Sequence, residues 1–315
     1  MLDLGRLRAI DALARHGTVH AAAAALHCTP SAVSQQLAKL EREAGTVLCH
    51  KDGRGLRLSD AGRLLAEHAA LVLAAADTAA AALDAYRGEV AGEVTVACFA
   101  TACRGLLPPA LSALTSAYPR LRPRVIETNP YEALRDLDRG RVDVAVIDDW
   151  REVRLHLPAG VSSTVLGEDT ADLVVPAGHP LATAGPGPLD RAAHERWIAS
   201  PEGTICHDWL IRALPGLRPA YLVGEFETQQ ALVAAGLGVA LLPRLARLTT
   251  APGTVVVPVD PVPTRRVSVT WRTPNYTRPA VKAVITAITQ AWSTRTTART
   301  GQDHVDLARS VALLS

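Results

Sequence analysis

Apolar residues at Leu4, Leu7, Ile10, Leu13 and Ala14 recur every three or four positions until His16-Gly17 interrupts them. That period predicts an amphipathic first helix. Thr18 stands where it can cap a second helix over residues 19–26, whose alanines let a neighbour approach closely. His27-Cys28 then reads as a tight turn. Thr29 is an N-cap candidate, and Pro30 fits the first helical position, where its missing N–H is no loss. A third helix is predicted through Glu43, with Val33, Leu37 and Leu40 on one face and Ser31, Ser34, Gln35 and Ala38 on the other. Residues 48–58 read as a two-stranded wing. Asp52-Gly53 is a hairpin-turn signal, flanked by Lys51, Arg54 and Arg57.

The pattern then changes twice. Residues 59–88 hold no proline and predict one helix, roughly 40 Å long at 1.5 Å per residue. Ser59 is placed to cap it, with Asp60 favouring the positive end of its dipole. Residues 89–293 alternate β-branched runs with helical ones, as in EVTVA (93–97), VDVAVI (142–147) and DLVVP (172–176). Such alternation predicts an α/β domain with a largely parallel sheet. Residues 294–315 are polar and then weakly amphipathic, and are read as a C-terminal tail.

A chain of 315 residues is about two domains long, and 48% apolar with 20% charged residues suits packed cores. The net charge of +2 does not announce a nucleic-acid partner. Residues 1–63 carry nine Lys and Arg against six Asp and Glu, so the helix pattern, more than charge, argues for DNA. No secretory signal is expected at residues 1–10. The apolar stretch at 64–83 is mostly alanine and is broken by Glu67, His68 and Asp77, which argues against a membrane span. Five scattered cysteines (Cys28, Cys49, Cys98, Cys103, Cys206) without CxxC spacing predict no disulfide framework and no zinc site, and suit the cytoplasm. No P-loop, nucleophile elbow or HExxH is present, and the adjacent Cys206-His207 do not converge easily on one metal. No enzymatic activity, cofactor or metal is expected.

The stretch AAAAALHCTPSAVSQQLAKLE (21–41) followed by LSDAGR (58–63) resembles the N-terminal module of LysR-type transcriptional regulators. The likeness continues through Leu106-Leu-Pro108, GRVDVAV (140–146) and VAAGLGVALLP (233–243), and covers about residues 2–293. Two departures stand in the first module, Ala44 and Cys49, where the family favours leucine and a large apolar residue. Phe99 is a third, where the family often has a small polar residue. The resemblance implies an α+β protein. A winged helix-turn-helix, otherwise all-α, would occupy 1–58 and a linker helix 59–88. An α/β effector domain, 89–293, would resemble periplasmic solute-binding proteins, with one subdomain at 91–165 plus 266–293 and a second at 166–265. It also implies a homodimer assembling into a homotetramer. Leu64, Leu71 and Thr78, and likewise Leu65, Val72 and Ala79, lie one heptad apart and suit such a helix pair.

Candidate sites follow. Ser34 and Gln35 are expected to read base edges of double-stranded DNA, since Gln can pair bidentately with adenine. Thr29, Ser31 and Lys39, with Arg54 and Arg57 of the wing, complete the DNA-contact set. A small-molecule effector is expected where parallel strands end between the subdomains. Phe99, Ala100 and Thr101 follow the first strand, Ser200 and Thr204 bound a turn, and Glu227 and Thr228 open another helix. Asp148 closes a strand. Carboxylates at Asp148, Glu202 and Glu227 raise an amino acid or an amine as the effector. The alternative is redox sensing through Cys98, Cys103 or Cys206.

Overall fold

A computed structural model describes residues 2–52, 55–86, 89–183, 185–246 and 251–312. The chain divides into two compact units, the first of residues up to Glu89 together with Asp138–Arg141, the second of Val90–Leu137 and the residues from Val142 onward.

The first unit opens with α1 (Leu4–His16), α2 (Val19–Ala25) and α3 (Pro30–Ala44). Each helix is capped as the sequence predicts or better: Asp3 accepts from the Arg6 amide, Thr18 from Ala21, Thr29 from Ala32. Gly17 and Gly45 close α1 and α3 in the left-handed conformation. His27 takes the tight turn at a positive φ of 51°. Leu7, Ile10, Leu13, Val33, Leu37 and Leu40 are buried together, with the alanines of α2 filling the narrow space between helices. The wing is the antiparallel pair β1 (Cys49–Asp52) and β2 (Gly55–Leu58), in register Cys49 to Leu58. Glu41 of α3 accepts from the Leu48 and Cys49 amides at 2.8 and 3.0 Å, fastening the wing to the third helix.

Ser59 accepts from the Gly62 amide at 3.0 Å and starts α4 (Asp60–Tyr86), whose Ala66, Ala69 and Leu73 complete this core. A Cβ on Gly62 would collide with the Leu48 carbonyl oxygen, so glycine is required there by the close passage of another backbone. Leu64, Leu71 and Val72 are exposed at 58%, 43% and 46%, while Leu65 packs on the core. The side chain of Thr78 lies outside the described residues.

The second unit is built on β3 (Gly92–Cys98), β4 (Leu121–Glu127) and β5 (Val144–Trp150), a parallel set. Helices α5 (Ala100–Gly105), α6 (Leu107–Ala117) and α7 (Pro130–Asp138) connect them. Two long strands follow, β6 (Val161–Pro176) and β11 (Thr264–Arg272), antiparallel to each other, with β11 also antiparallel to β5. Between them lie β7 (Ile198–Ala199), α8 (Ile205–Ala213), β8 (Tyr221–Leu222), α9 (Phe226–Ala234), β9 (Ala240–Pro243) and β10 (Thr254–Val257). The helix α10 (Pro279–Ala312) closes the fold and runs beyond residue 293, so the predicted tail continues it through Ala312.

Two subdomains result. In the first, Val94, Val96, Val144, Val146, Val267 and Val269 pack against α6 and α10, and Ala97, Ala145 and Ile147 against α7. In the second, Leu173 and Val175 of β6 face Trp197, Trp209 and Leu210, while Val174 faces Ile198, Val233 and Leu242. The sheet is mixed and not largely parallel: β9 and β10 both pair antiparallel with β6. The reason is that one uninterrupted strand, β6, carries the chain out of the first subdomain and β11 brings it back alongside. The predicted run 172–176 is only the far end of β6.

Candidate functional site

The third helix presents what the sequence predicts. Ser31, Gln35 and Lys39 are exposed, Ser34 and Ala38 half-buried, and Val33, Leu37 and Leu40 face inward. Thr29 is exposed but already committed, accepting from Ala32 at 3.2 Å and sharing a 2.9 Å hydrogen bond with Ser31. Arg57 is exposed on β2, opposite His50. Arg54 lies outside the described residues. Short, uncharged side chains near the N-terminus of a rigidly backed helix suit entry into a major groove.

The second unit holds a cleft of about 200 Å³ at the C-terminal ends of β3, β4 and β5. Of the predicted residues Phe99, Ala100, Thr101, Asp148, Ser200 and Thr204 line it. Glu227 and Thr228 do not. Glu227 reaches across to Arg104 at 2.7 Å, and the Thr228 hydroxyl donates to Glu225 at 2.6 Å, because α9 begins two residues earlier than Thr228 and turns both outward. Phe226 and Gly224 take their place in the lining. Sequence reading also missed Glu127 at the end of β4 and Thr128, Asn129 and Pro130 after it, whose signal was an Asn-Pro helix start following a β-run; Asn129 caps α7 by accepting from the Glu132 amide at 3.0 Å.

The largest omission is Arg265, fully buried at the base of the cleft. Its Nε and Nη2 donate to Asp169 at 3.0 and 2.8 Å, Nη1 to Asp148 at 3.2 Å, and Nη2 also to the Thr101 hydroxyl at 2.8 Å. The Phe99 ring covers it at 5.0 Å. Burial works to lower the Arg265 pKa, but Asp148 and Asp169 overcome it and hold the guanidinium charged. Burial raises the Asp148 carboxyl against the opposing pull of Arg265. Asp148 is therefore bound internally and does not await a ligand cation. Its neighbour Asp149 turns to the other face of β5, held by Arg154 and Arg266 at 2.9 and 2.7 Å. Glu202 is exposed and off the lining, so the carboxylates that suggested an amine effector do not converge on the cleft.

Cys98 and Cys103 flank the N-cap Phe99 of α5 at the positions where an apolar pair normally staples a helix start. The Cys103 thiol donates to the Cys98 carbonyl at 3.5 Å. Burial raises the Cys98 thiol, whereas a hydrogen bond from the Cys98 thiol lowers that of Cys103. Burial pushes Cys206 up to about 12, which suits an inert packing residue. Among the described residues no cluster of three or more His, Cys, Asp or Glu gathers to hold a metal, and no helix is long and apolar enough to cross a membrane.

Comparison with known proteins agrees with this layout. Residues 4–63 match the family described as bacterial regulatory helix-turn-helix protein, lysR family, and residues 87–293 match the LysR substrate binding domain. The chain is 32% identical over 283 residues to a probable hydrogen peroxide-inducible genes activator of Streptomyces viridosporus, covering 86% of this chain and 88% of the relative. It is 29% identical over 274 residues to the probable regulator LrrA of Synechococcus elongatus, covering 84% and 89%. In fold it matches a full-length OxyR variant from Pseudomonas aeruginosa with a TM-score of 0.73 at 24% identity, over 91% of this chain and 95% of that one. CbnR in complex with its target DNA matches with a TM-score of 0.61 at 21% identity, over 92% and 99%. A capped third helix, a two-stranded wing, a long helix and a two-subdomain cleft thus come in the order that both matched regions require, and the chain belongs to the LysR family of bacterial helix-turn-helix transcriptional regulators.

Proposed function

We propose that a small molecule seated between the subdomains of the second unit controls how two copies of the first unit engage operator DNA. The observation that carries this is the polar face of exposed Ser31 and Gln35 with half-buried Ser34, on a helix whose opposite face is locked into a core. Gln35 and Ser34 read bases, while Lys39 and Arg57 meet phosphates. The exposed Leu64, Leu71 and Val72 of α4 find their partner in a second copy, and pairs of dimers form a tetramer. Two reading helices then address a partly palindromic site. Effector binding shifts the population of subdomain closures about β6 and β11. The chain acts by binding and not by catalysis, in the cytoplasm where its DNA is.

Selecting bound duplexes from a random library tests the reading face. Wild type should enrich one partly palindromic sequence, and Gln35→Ala should lose or relax it at the positions nearest the helix. An unchanged consensus would remove Gln35 from the reading face. Ser200→Phe, which fills the cleft, should retain DNA binding yet abolish the inducible response of a reporter; a normal response would place the effector elsewhere.

A further inference from the structure

The cleft also restricts which molecule it accepts, and this inference rests on the effector reading above. The chain contains two phenylalanines, and both Phe99 and Phe226 line this cleft, with Pro130, Pro201 and Ile205. The apolar wall is therefore concentrated here. The volume of about 200 Å³ is below the roughly 300–1,000 Å³ of pockets for drug-sized ligands, so the occupant is small.

The polar groups are equally specific. Thr101 lies on the first subdomain and Ser200 on the second, and both are nearly buried, at 1% and 8% exposure. Each oxygen already accepts from inside the protein: Thr101 from Arg265 at 2.8 Å, Ser200 from Gln229 at 3.4 Å. Among the described residues no acceptor takes the proton of either hydroxyl. Each hydroxyl can rotate its proton toward an acceptor, and both residues line the cleft where a ligand would supply one. The cleft thus offers two O–H donors, one from each subdomain, and a near-buried donor without an acceptor is unfavourable.

Charge decides the remaining choice. Arg265 is the cation of the lining, and Asp148 and Asp169 already match it twice over. Glu127, at the rim, adds a further negative charge. A carboxylate ligand would leave water to face a lining whose cation is already matched, and an ammonium would find Asp148 committed to Arg265 and Glu127 left in water at the rim. We infer that the effector is an uncharged, ring-bearing small molecule whose carbonyl oxygen accepts from Thr101 and Ser200, linking the two subdomains.

Three probes of nearly equal shape separate the possibilities: benzamide, benzoate and benzylamine, titrated into the full chain by calorimetry or ligand-observed NMR. Benzamide should bind roughly tenfold or more tightly than either charged analogue. Ser200→Ala should weaken benzamide about 3- to 10-fold with no change in melting temperature, since Gln229 keeps its 2.7 Å bond to the Val223 carbonyl. Phe226→Ala should weaken it as well. Tighter binding of benzoate or benzylamine that is still lost with Ser200→Ala would overturn the uncharged class while leaving the cleft as the effector site. Binding indifferent to both substitutions would overturn the inference and count against the cleft itself. Absence of binding by all three at millimolar concentration would overturn the inference alone, because the reporter response of Ser200→Phe tests the cleft separately.

Discussion

Replacing Arg265 with methionine should be among the most damaging single changes in the second unit. The side chain is 1% exposed and makes four hydrogen bonds, to Asp148, to Asp169 twice and to Thr101. Its removal leaves two buried carboxylates facing each other without a cation. Breaking a buried ion pair in this way costs about 3–5 kcal/mol. For a unit of this size that corresponds to a melting temperature lower by roughly 6–20 °C. The loss should depend on pH with a definite sign. Burial already raises the Asp148 carboxyl, and the variant also loses the attraction that opposed the rise. An acid whose folded pKa lies above its unfolded value is best tolerated below that unfolded value and destabilises as pH rises through the folded one. The deficit should therefore be larger at pH 8 than at pH 5. Adding Asp148→Asn and Asp169→Asn to the methionine variant removes both stranded charges and should recover much of the loss. Calorimetric melting of the full chain at the two pH values reads all of this. A fall of under about 2 °C, or an equal fall at both pH values, would refute the account of Arg265 as the counter-charge of a buried pair.

In the first unit, Gly62→Ala should lower the urea midpoint by the equivalent of about 1–3 kcal/mol, because its Cβ meets the Leu48 carbonyl. Helix propensity alone would favour alanine by about 1 kcal/mol, so a stabilised variant would contradict the close passage. Arg57→Ala should weaken binding to all duplexes alike and reduce the slope of log K against log salt by about 0.9, measured by fluorescence anisotropy. A change confined to one sequence would instead make Arg57 a base reader. At pH 8 iodoacetamide should label exposed Cys28 and half-buried Cys103 well before Cys49 and Cys206, whose thiols lie at about 11 and about 12. Peptide mass spectrometry orders the four, and early labelling of Cys206 would show that its packing is looser than described.

The first unit was legible because its signals are local. A cap, a Pro at N1 and a 3.6-residue period place Thr29, Pro30 and the Val33–Leu37–Leu40 face without knowledge of anything distant. The long helix and the ends of β3 and β5 were legible for the same reason. Strand direction was not. Nothing within DLVVP announces that it is the end of a strand begun at Val161, nor that β9 and β10 pair antiparallel to it. The base of the cleft was missed for a related reason. Arg265 meets Asp169, Asp148 and Thr101 from sequence separations of 96, 117 and 164 residues. Asp148 lies at the cleft, and its partner Arg265 is a residue on another strand that no local pattern announces. Glu227 and Thr228 were misplaced because α9 begins at Phe226, two residues before Thr228, which turns both side chains outward.

The pairing of Thr264 with Thr170 has an architectural consequence. The chain leaves the first subdomain and re-enters it at adjacent positions on neighbouring strands, so everything between is an insertion whose two ends already touch. The first subdomain's core is shared among β3, β5, β11, α6 and α10, with Leu245 reaching into it from the insertion. The second is thus a guest module, exchangeable between relatives at one splice site in each long strand. Such an exchange would carry Ser200 and Phe226 with it and leave Thr101 and Phe99 behind. Ligand preference in proteins of this build can then be recombined by halves, one wall of the cleft at a time.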